Sequence, residues 1–425
     1  MGSSLLACVC RVLLGVVFLF SGTAKAIDPV GGAIKMEEYF NAFGFAHLEW
    51  LAMPFAINLA AIEFTLGTCM LLGVYRRYAS FLTLLMMCFM TPLTLYLALY
   101  NPVADCGCFG EALVLTNWET FYKNIVLLAA AFVAFRFNQR VQAGYSYKVY
   151  WFVALYAYMF CVGFSLRNYW HLPIVDFRPY KVGVNIPEQM TIPEGAPQDE
   201  YEYRFIYEKE GKRQTFTLDN VPAEDSTWTF IRTETKLLKQ GYVPPITDFL
   251  LLTPEGEDLT ESILGDTAGV FLLIAPKLET AHEERIDEIN NIYDYAQEQG
   301  MRFYGVTSSE SEAIDRWIDY TGAEYPFLFG DETMLKTFIR SNPGLVLLKG
   351  GTILAKWHYN DLPAEEAWPQ TFAEVWQGKE NDKKEARYIT NLLTFAVPLL
   401  LVWAYDYRTN RRRKNKSTYE QDNNT

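Results

Sequence analysis

Six apolar stretches constrain this chain more than any other feature. They cover residues 5–26, 51–75, 80–100, 118–137, 149–166 and 388–405. Each is long enough to cross ~30 Å of hydrocarbon as a helix that rises ~1.5 Å per residue. Half of the 425 residues are hydrophobic, yet the formal net charge is −13, so apolar segments alternate with acidic, water-soluble ones. We expect a polytopic α-helical membrane protein with a large soluble domain between the fifth and sixth spans.

Basic residues in the short loops predict the side of the membrane on which each loop lies, because Lys and Arg near helix ends are retained in the cytoplasm. The loops after the second and fourth spans and the tail after the sixth are basic, with Arg76, Arg77, Arg136, Arg140, Lys148, Arg408, Arg411, Arg412, Arg413, Lys414 and Lys416. The alternate loops are acidic or neutral. We therefore expect both termini in the cytoplasm of a bacterium and residues 167–387 on the periplasmic side of its inner membrane. Lys383, Lys384 and Arg387 run against this pattern.

The spans divide the chain into six predicted parts. They are a four-helix membrane domain (1–140), a fifth transmembrane helix (149–166), an extracytoplasmic linker with a β-hairpin (167–245), an α/β domain (246–378), a sixth transmembrane helix (388–405) and a basic cytoplasmic tail (406–425). Membrane lipid is an expected partner. Nucleic acid is not, because an acidic chain whose basic run is confined to its tail cannot neutralise a phosphate backbone.

The seven cysteines all precede the outer domain, and Cys106 and Cys108 alone fall in an outer loop. Gly107 between them gives the backbone the freedom to bring the two sulfurs together. A disulfide in so small a ring is strained and therefore easily passed to a substrate thiol. Two alternatives stay open: an inert staple of the loop, and metal binding together with Met86, Met87 and Met90. Asp105 and Glu111 are expected to disfavour a thiolate here.

Two ionisable residues, Arg11 in the first span and Glu63 in the second, are costly enough inside a bilayer to be candidates for function. Counting from opposite ends of antiparallel helices places them at similar depth, in the cytoplasmic half of the membrane. We expect them to pair and support the bundle, or Glu63 to pass protons or help bind a quinone head group. Lys25 and Asp28 are expected to reach the outer interface instead.

The first half of the chain resembles the DoxX-like membrane family, and within it the branch of the methylamine-utilisation protein MauE. The resemblance covers residues 5–140 and is carried by three motifs: Arg11-x-x-Leu14-Gly15-x-x-Phe18-x-x-Ser21-Gly22-x-x-Lys25, Glu63-x-x-x-Gly67 with Gly73 and Arg76-Arg77, and Cys106-Gly107-Cys108-Phe109-Gly110. It implies a four-helix membrane bundle with a part in forming or maintaining disulfides in an exported protein. An architectural analogy with quinone-linked disulfide catalysts adds quinone as the expected electron acceptor.

The outer region has two patterns. Alternation from residue 200 with a turn at Gly211 predicts a small hairpin. Residues 249–357 alternate between predicted strands and helices, which include a strand at 249–252 and a helix at 279–299. The order of strands and helices in the second pattern resembles the thioredoxin-like fold, with Pro343 at the position of that family's cis-proline. Residues 276–280, where a catalytic thioredoxin carries two cysteines, contain none. The resemblance implies a redox-inactive domain that binds an extended partner segment at Asn342 and Pro343.

Together these observations predict a membrane thiol–disulfide redox protein that helps exported proteins form disulfides. Cys106 and Cys108 are the predicted redox pair, Glu63 and Arg11 support them, and an exported client or a periplasmic redox protein is the expected partner. The four histidines are scattered, so no metal is expected. The alternative is a non-enzymatic scaffold or assembly factor, whose outer domain binds an envelope partner while the cysteine pair only staples a loop.

Overall fold

The computed structural model describes residues 2–137, 144–209, 211–221, 227–239, 241–376 and 382–422. Its helices are α1 (Gly2–Ile27), α2 (Pro29–Ala42), α3 (Ala52–Leu72), α4 (Arg76–Tyr100), α5 (Asn117–Arg136), α6 (Tyr150–Trp170), α7 (Ile186–Met190), α8 (Thr260–Leu264), α9 (Ile286–Glu298), α10 (Ser311–Thr321), α11 (Glu332–Phe338), α12 (Trp368–Trp376) and α13 (Asp382–Asp422). Its strands are β1 (Glu200–Lys209), β2 (Lys212–Thr217), β3 (Thr229–Lys239), β4 (Val270–Ala275), β5 (Arg302–Thr307), β6 (Phe327–Phe329), β7 (Gly344–Lys349) and β8 (Thr352–His358).

The prediction of six membrane spans is confirmed. Within the described residues, six helical segments are long and apolar enough to cross a bilayer: Leu5–Ile27, Ala46–Leu72, Arg76–Tyr100, Asn117–Arg136, Tyr147–Trp170 and Arg387–Thr409. The chain is thus a polytopic membrane protein.

Helix α2 is a feature that the sequence reasoning missed, since it treated residues 28–49 as a loop. Asp28 caps this helix by accepting a hydrogen bond from Gly31 N at 2.9 Å, and Pro29 occupies its first turn. Both are standard signals of a helix start, because the first turn has unsatisfied N–H groups and proline lacks one. Helix α2 packs on α3 through Ala33, Ala52 and Ala56.

Glycines set the register between α1 and α3, the most extensively packed helix pair of the membrane domain. A Cβ on Gly22 would lie 2.4 Å from Phe64 N, and one on Gly67 would lie 2.4 Å from Leu19 N. The absence of side chains lets the two backbones approach closely, and close backbone approach is a main source of helix association in lipid. This register places Glu63 opposite the stretch of α1 that ends at Lys25.

The sixth span, within α13, packs on α6 and α3. The ring of Phe395 contacts those of Phe64 and Phe160, with centroids 5.0 and 4.9 Å away. The Tyr145 hydroxyl donates to Leu399 O at 3.0 Å. The two spans added to the four-helix bundle therefore form part of one membrane domain.

The outer domain has the thioredoxin-like arrangement that the sequence predicts. Its five-stranded sheet has the order β6-β5-β4-β7-β8, in which β4 pairs parallel with β5 and antiparallel with β7. Every residue of β4 is buried, because helices or loops cover both faces of the sheet. The Asn342–Pro343 peptide bond is cis, as predicted.

Three details of the outer region differ from the prediction. The strand expected at residues 249–252 is reduced to isolated bridges from Leu252 to Asp258 and Phe329, and the helix expected at 279–299 begins only at Ile286. The predicted hairpin is present as β1 and β2, but β3 joins it to form a three-stranded antiparallel sheet in the order β2-β1-β3. Every residue of β3 is exposed, so the strand lacks the alternating burial that identifies strands from sequence.

A buried ion pair fixes the outer domain to the membrane domain. Arg340, three residues before the cis-proline, donates to both carboxylate oxygens of Asp28 at 3.0–3.1 Å and to Glu111 at 3.3 Å. The side chains of Arg340 and Asp28 are only 3% and 7% exposed. The expectation that Asp28 reaches the lipid interface is therefore wrong, because the outer domain covers it and supplies its counter-ion.

We predict that Gly22→Val destabilises the membrane domain by about 1–3 kcal/mol, because the new side chain would overlap the α3 backbone. Thermal unfolding of the purified chain measures the effect. Gly163→Val is the matched control, since a Cβ at Gly163 meets nothing within 4 Å. Equal melting temperatures for the two variants would refute glycine-dependent packing of α1 on α3.

We predict that Arg340→Gln loosens the outer domain, because it leaves Asp28 buried without its cation, a loss of about 3–5 kcal/mol for a broken buried pair. Hydrogen exchange in α2 and proteolysis between the domains should rise. The control is Lys336→Gln, which breaks an exposed pair with Glu332 worth about 0–1 kcal/mol. Unchanged exchange in α2 of the Arg340 variant would show that the pair does not hold the domains together.

Candidate functional site

The cysteine loop connects α4 to α5, and backbone conformation requires glycine within it. Gly107 has φ +63° and Gly110 has φ +54°, both in the left-handed region. Asp105 stabilises the turn by accepting a hydrogen bond from Gly107 N at 2.8 Å. A Cβ on Gly107 would also lie 2.8 Å from Lys35 Cγ on α2. Space and conformation thus both select glycine between the two cysteines.

Helices α1 and α2 hold the two cysteines by their backbone carbonyls. Tyr39 on α2 donates its hydroxyl to Cys106 O at 2.9 Å. Ser21 and Lys25 on α1 donate to Cys108 O at 2.5 and 2.6 Å. Cys106 is buried, at 7% exposure, and Cys108 is half-buried. Both are free thiols. The pair is therefore enclosed by the membrane domain rather than displayed on its surface.

A buried polar network below Cys108 joins α1 to α3. Lys25 Nζ lies 2.6 Å from Glu63 Oε2 and 2.8 Å from Ser21 Oγ, and the Ser21 hydroxyl is 2.7 Å from the same carboxylate oxygen. None of the three residues is more than 9% exposed. With the Cys108 carbonyl, the Lys25 ammonium has an acceptor for each of its three hydrogens.

This network corrects two expectations. Glu63 pairs with Lys25 and not with Arg11, and Lys25 does not reach the lipid interface. Counting depth from the apolar ends failed because the glycine contacts, not the ends of the helices, set the register of α1 on α3. Arg11 lies at the other end of α3, beside Gly73 and Arg76. The structure brings Glu63 to the cysteine site and separates Arg11 from it.

The two thiols have very different acidities. Hydrogen bonding between them stabilises the Cys108 thiolate, and with positive charge from Lys123 and Lys25 it lowers the pKa of Cys108 to about 7 despite burial. The same hydrogen bond, together with burial and the neighbouring thiolate, raises the pKa of Cys106 far above its usual range. The expectation that acidic neighbours disfavour a thiolate is thus wrong for Cys108, because the folded chain places the Cys106 thiol and, to a smaller extent, two lysines where they stabilise its negative charge.

Phe109 helps to place Lys123. The Phe109 ring packs edge-on against Phe20 of α1 at 5.4 Å, and Lys123 Nζ lies 4.1 Å from its centre. A cation over an aromatic face is attracted by the ring's negative charge density. Phe109 therefore anchors the loop and orients Lys123, one of the positive charges that favour the Cys108 thiolate.

Two cavities lie between the membrane domain and the outer domain, and one of them borders the cysteine loop. One, of about 460 Å³, is bordered by Lys25, Asp105 and Gly107 on the membrane side and by α11 on the other. The second, of about 430 Å³, lies between α2 and the cis-proline face, where Asn342 is a lining residue. Asp105 and Gly107 of the cysteine loop thus border the first cavity and Asn342 borders the second, while neither cysteine is among the lining residues of either.

Part of the Asn342 amide and carbonyl is already engaged within the domain. Its side-chain Nδ2 donates to Lys277 O at 2.8 Å, and its backbone carbonyl accepts a hydrogen bond from His282 N at 2.9 Å. Partner binding at Asn342 and Pro343 stays a prediction. Segment 276–280, which lacks cysteines, forms in part a short turn over Leu278–Thr280.

Several site residues were missed from the sequence alone: Ser21, Lys25, Tyr39, Lys35 and Lys123. The spacing of Ser21 and Lys25 does carry a signal, since residues four apart lie on one face of a helix. Glu63 on α3 is the carboxylate that both of these side chains contact. Nothing comparable marks Tyr39 or Lys123, which reach the loop only through tertiary packing.

Comparisons with known proteins agree with this division of the chain. Residues 201–240, which contain the three-stranded sheet, match a family described only as a domain of unknown function, DUF8463. "Protein TlpB" of Flavobacterium psychrophilum is 27% identical over 129 residues, which is 30% of this chain and 35% of that protein. The chain therefore spans about a third of this curated relative.

A solution structure from Bacteroides thetaiotaomicron, of a protein proposed to be a disulfide isomerase, matches at 18% identity with a TM-score of 0.25. The match covers 32% of this chain and 91% of that one. The thioredoxin-like fold is recognised from the strand order and the cis-proline of this chain, and not from this match. Residues 3–137 match the family described as "Methylamine utilisation protein MauE". The first four spans, with the cysteine loop between the third and fourth, lie within this match, in agreement with the resemblance that the sequence motifs carry.

Proposed function

We propose that this chain is a membrane thiol–disulfide redox protein in which Cys106 and Cys108 cycle between dithiol and disulfide. The observation that carries the proposal is the environment of Cys108. Ser21 and Lys25 fix its backbone carbonyl, and the pKa of its thiol is lowered to about 7. A thiolate is the reactive form in disulfide exchange, and a pKa near ambient pH is the best compromise between thiolate population and nucleophilicity. An inert staple has no need of such an environment.

In the direction of client oxidation, a client thiolate attacks Cys106 of the oxidised pair, the Cys106–Cys108 bond breaks, and Cys108 leaves as the better-stabilised thiolate. The second client thiolate then displaces Cys106, which gives a client disulfide and two reduced cysteines. In the opposite direction a client disulfide forms a mixed disulfide with Cys106, and the reduced client is released when Cys106 is attacked by the Cys108 thiolate. Lys25 and Lys123 favour its negative charge in both cases, and Glu63 balances the charge of Lys25.

Reoxidation of the dithiol needs an acceptor for two electrons and two protons, and a quinone is the acceptor that we propose by class. Lys25 offers it no free hydrogen in the present arrangement, because all three have acceptors within the chain. The support for a quinone is the location of the pair at the end of membrane helices.

Orientation is part of the proposal. The basic loops support a cysteine loop and an outer domain on the periplasmic side of a bacterial inner membrane, where exported proteins acquire disulfides. The clients that we propose are such exported proteins or a periplasmic redox partner. The oxidising side of the membrane suits the pair, since thiols on the cytoplasmic side are kept reduced.

One observation favours the alternative of an assembly factor: the cysteine-free outer domain is docked tightly over the membrane domain by Arg340 and Asp28. In that case the domain would bind an envelope partner while the cysteines only stabilise a loop. Deletion of residues 200–376 would then abolish function, and a Cys106→Ser, Cys108→Ser double variant would retain it.

We predict that Cys106→Ser and Cys108→Ser each abolish oxidation of a reduced protein client, because neither variant can form the internal disulfide. One single variant should also accumulate a mixed disulfide with the client, visible on non-reducing gels. Cys88→Ser is the matched control, since Cys88 is an exposed thiol on α4 outside the site. Client oxidation at the wild-type rate by either site variant would eliminate the redox mechanism.

We predict that alkylation of reduced Cys108 is half-maximal at about pH 7. Because its pKa is depressed, the thiolate persists above that pH and is lost below it. Cys106→Ala should move the midpoint upward by removing the hydrogen bond, and Lys123→Gln should move it upward by removing a positive charge. Lys148→Gln, at the opposite membrane face, should leave it unchanged. Peptide-resolved mass spectrometry measures each midpoint, and an ordinary thiol midpoint in the wild type would contradict the assigned environment.

A further inference from the structure

The departure of Cys106 from the client is the least favoured step of the proposed reaction. Cys106 then receives an electron pair in a site where it is buried. Its hydrogen bond to Cys108, its burial and the charge of that neighbour raise the pKa of the Cys106 thiol far above its usual range. A thiol of high pKa leaves a disulfide slowly. The step therefore needs a hydrogen-bond donor at the Cys106 sulfur.

Tyr39 has its hydroxyl beside Cys106. It extends from α2 and packs against the small buried cluster that Cys106 forms with Leu97 and Val103. The hydroxyl donates to the Cys106 backbone carbonyl at 2.9 Å and is also hydrogen-bonded with the Cys106 side chain. Its hydrogen thus has the carbonyl and the sulfur of one residue within reach. Because hydrogen bonds to charged groups are the stronger ones, it turns to the sulfur when the sulfur becomes negative.

Tyr39 keeps its hydrogen in this environment. Burial first, and then the charges of the neighbouring cysteines, raise the pKa of Tyr39 far above its usual range. The phenol is therefore a donor at every physiological pH. Lys25 has all three of its hydrogens engaged, and Lys123 lies over the Phe109 ring. Among the groups that stabilise a Cys106 thiolate, the Tyr39 hydroxyl contributes most and the charge of Lys123 less.

We propose that Tyr39 is a catalytic residue, which donates a hydrogen bond to the Cys106 sulfur as Cys106 leaves the mixed disulfide with the client. This role rests on the proposed function. The second client thiolate bonds to the client sulfur, the bond from that sulfur to Cys106 breaks, and its electron pair passes to Cys106. The client is oxidised, Cys106 is reduced, and a proton from water completes the thiol. Cys108 is the leaving group of the first step, so Tyr39 assists only the second.

The first test does not require the redox reaction. In a Cys108→Ala background, the rate at which Cys106 is alkylated at a fixed pH below its midpoint measures its thiolate fraction. Tyr39→Phe should lower this rate about ten- to hundredfold, because a hydrogen bond to a charged group is lost. The midpoint of the pH profile should move upward. Tyr96→Phe is the matched control, since Tyr96 packs on the same Phe43 ring as Tyr39 and should change neither quantity.

The pH profile separates this role from a merely structural one. Tyr39→Phe retains the ring that stacks on Phe43 at 6.3 Å and loses the hydrogen bond to the Cys106 carbonyl. If that backbone bond were the whole contribution of Tyr39, the variant would melt at a slightly lower temperature while Cys106 kept its alkylation midpoint. An unchanged rate and midpoint of Cys106 alkylation would overturn the proposal.

The second test uses two synthetic peptides, one with a single cysteine and one with two, and the oxidised full chain. Tyr39→Phe should form the mixed disulfide with the first peptide at the wild-type rate, because Cys108 leaves in that step. It should oxidise the second peptide about tenfold more slowly. Equal slowing of both reactions would overturn the proposed role of Tyr39. A wild type that reacts with neither peptide would refute the proposed function, and the alkylation test alone would then decide whether Tyr39 stabilises the Cys106 thiolate.

Discussion

The ion pair between Lys25 and Glu63 is the interaction on which the cysteine site depends. It is buried in the membrane domain, where each charge would be costly alone, and its third participant is the carbonyl of Cys108. The pair can form because glycines bring α1 and α3 into close contact at one register. A backbone interaction thereby fixes the position of a cysteine, which leaves its sulfur free for chemistry. The same lysine contributes charge that favours the Cys108 thiolate.

The outer domain depends on the same end of α1. Asp28 follows the last residue of this helix, starts α2 as its cap and receives Arg340 from the outer domain. Helix α2 in turn supplies Tyr39 to the Cys106 carbonyl. A thioredoxin-like domain without cysteines is thus held with its cis-proline face toward the membrane domain that contains the cysteine loop. Two cavities lie between the domains, and one of them borders that loop.

Much of the fold follows from the sequence, and the site follows only in part. Apolar length gives the six spans because a bilayer has a fixed thickness, and alternating strands with helices give the outer domain. Cys106 and Cys108 stand out because their spacing is unusual and their loop is short. The partner of Glu63 was predicted wrongly as Arg11, since helix register depends on glycine contacts that apolar length does not reveal. Tyr39, Lys123 and Arg340 reach their positions through contacts between distant segments, which no local pattern encodes.

If Cys106 and Cys108 exchange electrons with other thiols, the redox state of the pair in intact membranes must respond to both a client and an electron acceptor. Mass-tagging of free thiols reads that state before and after addition of a reduced protein client, with and without a quinone. We expect the pair to become reduced when client is added and to be reoxidised when an electron acceptor is supplied. A pair that stays fully oxidised, or fully reduced, under all of these conditions would show that it does not exchange electrons with other thiols.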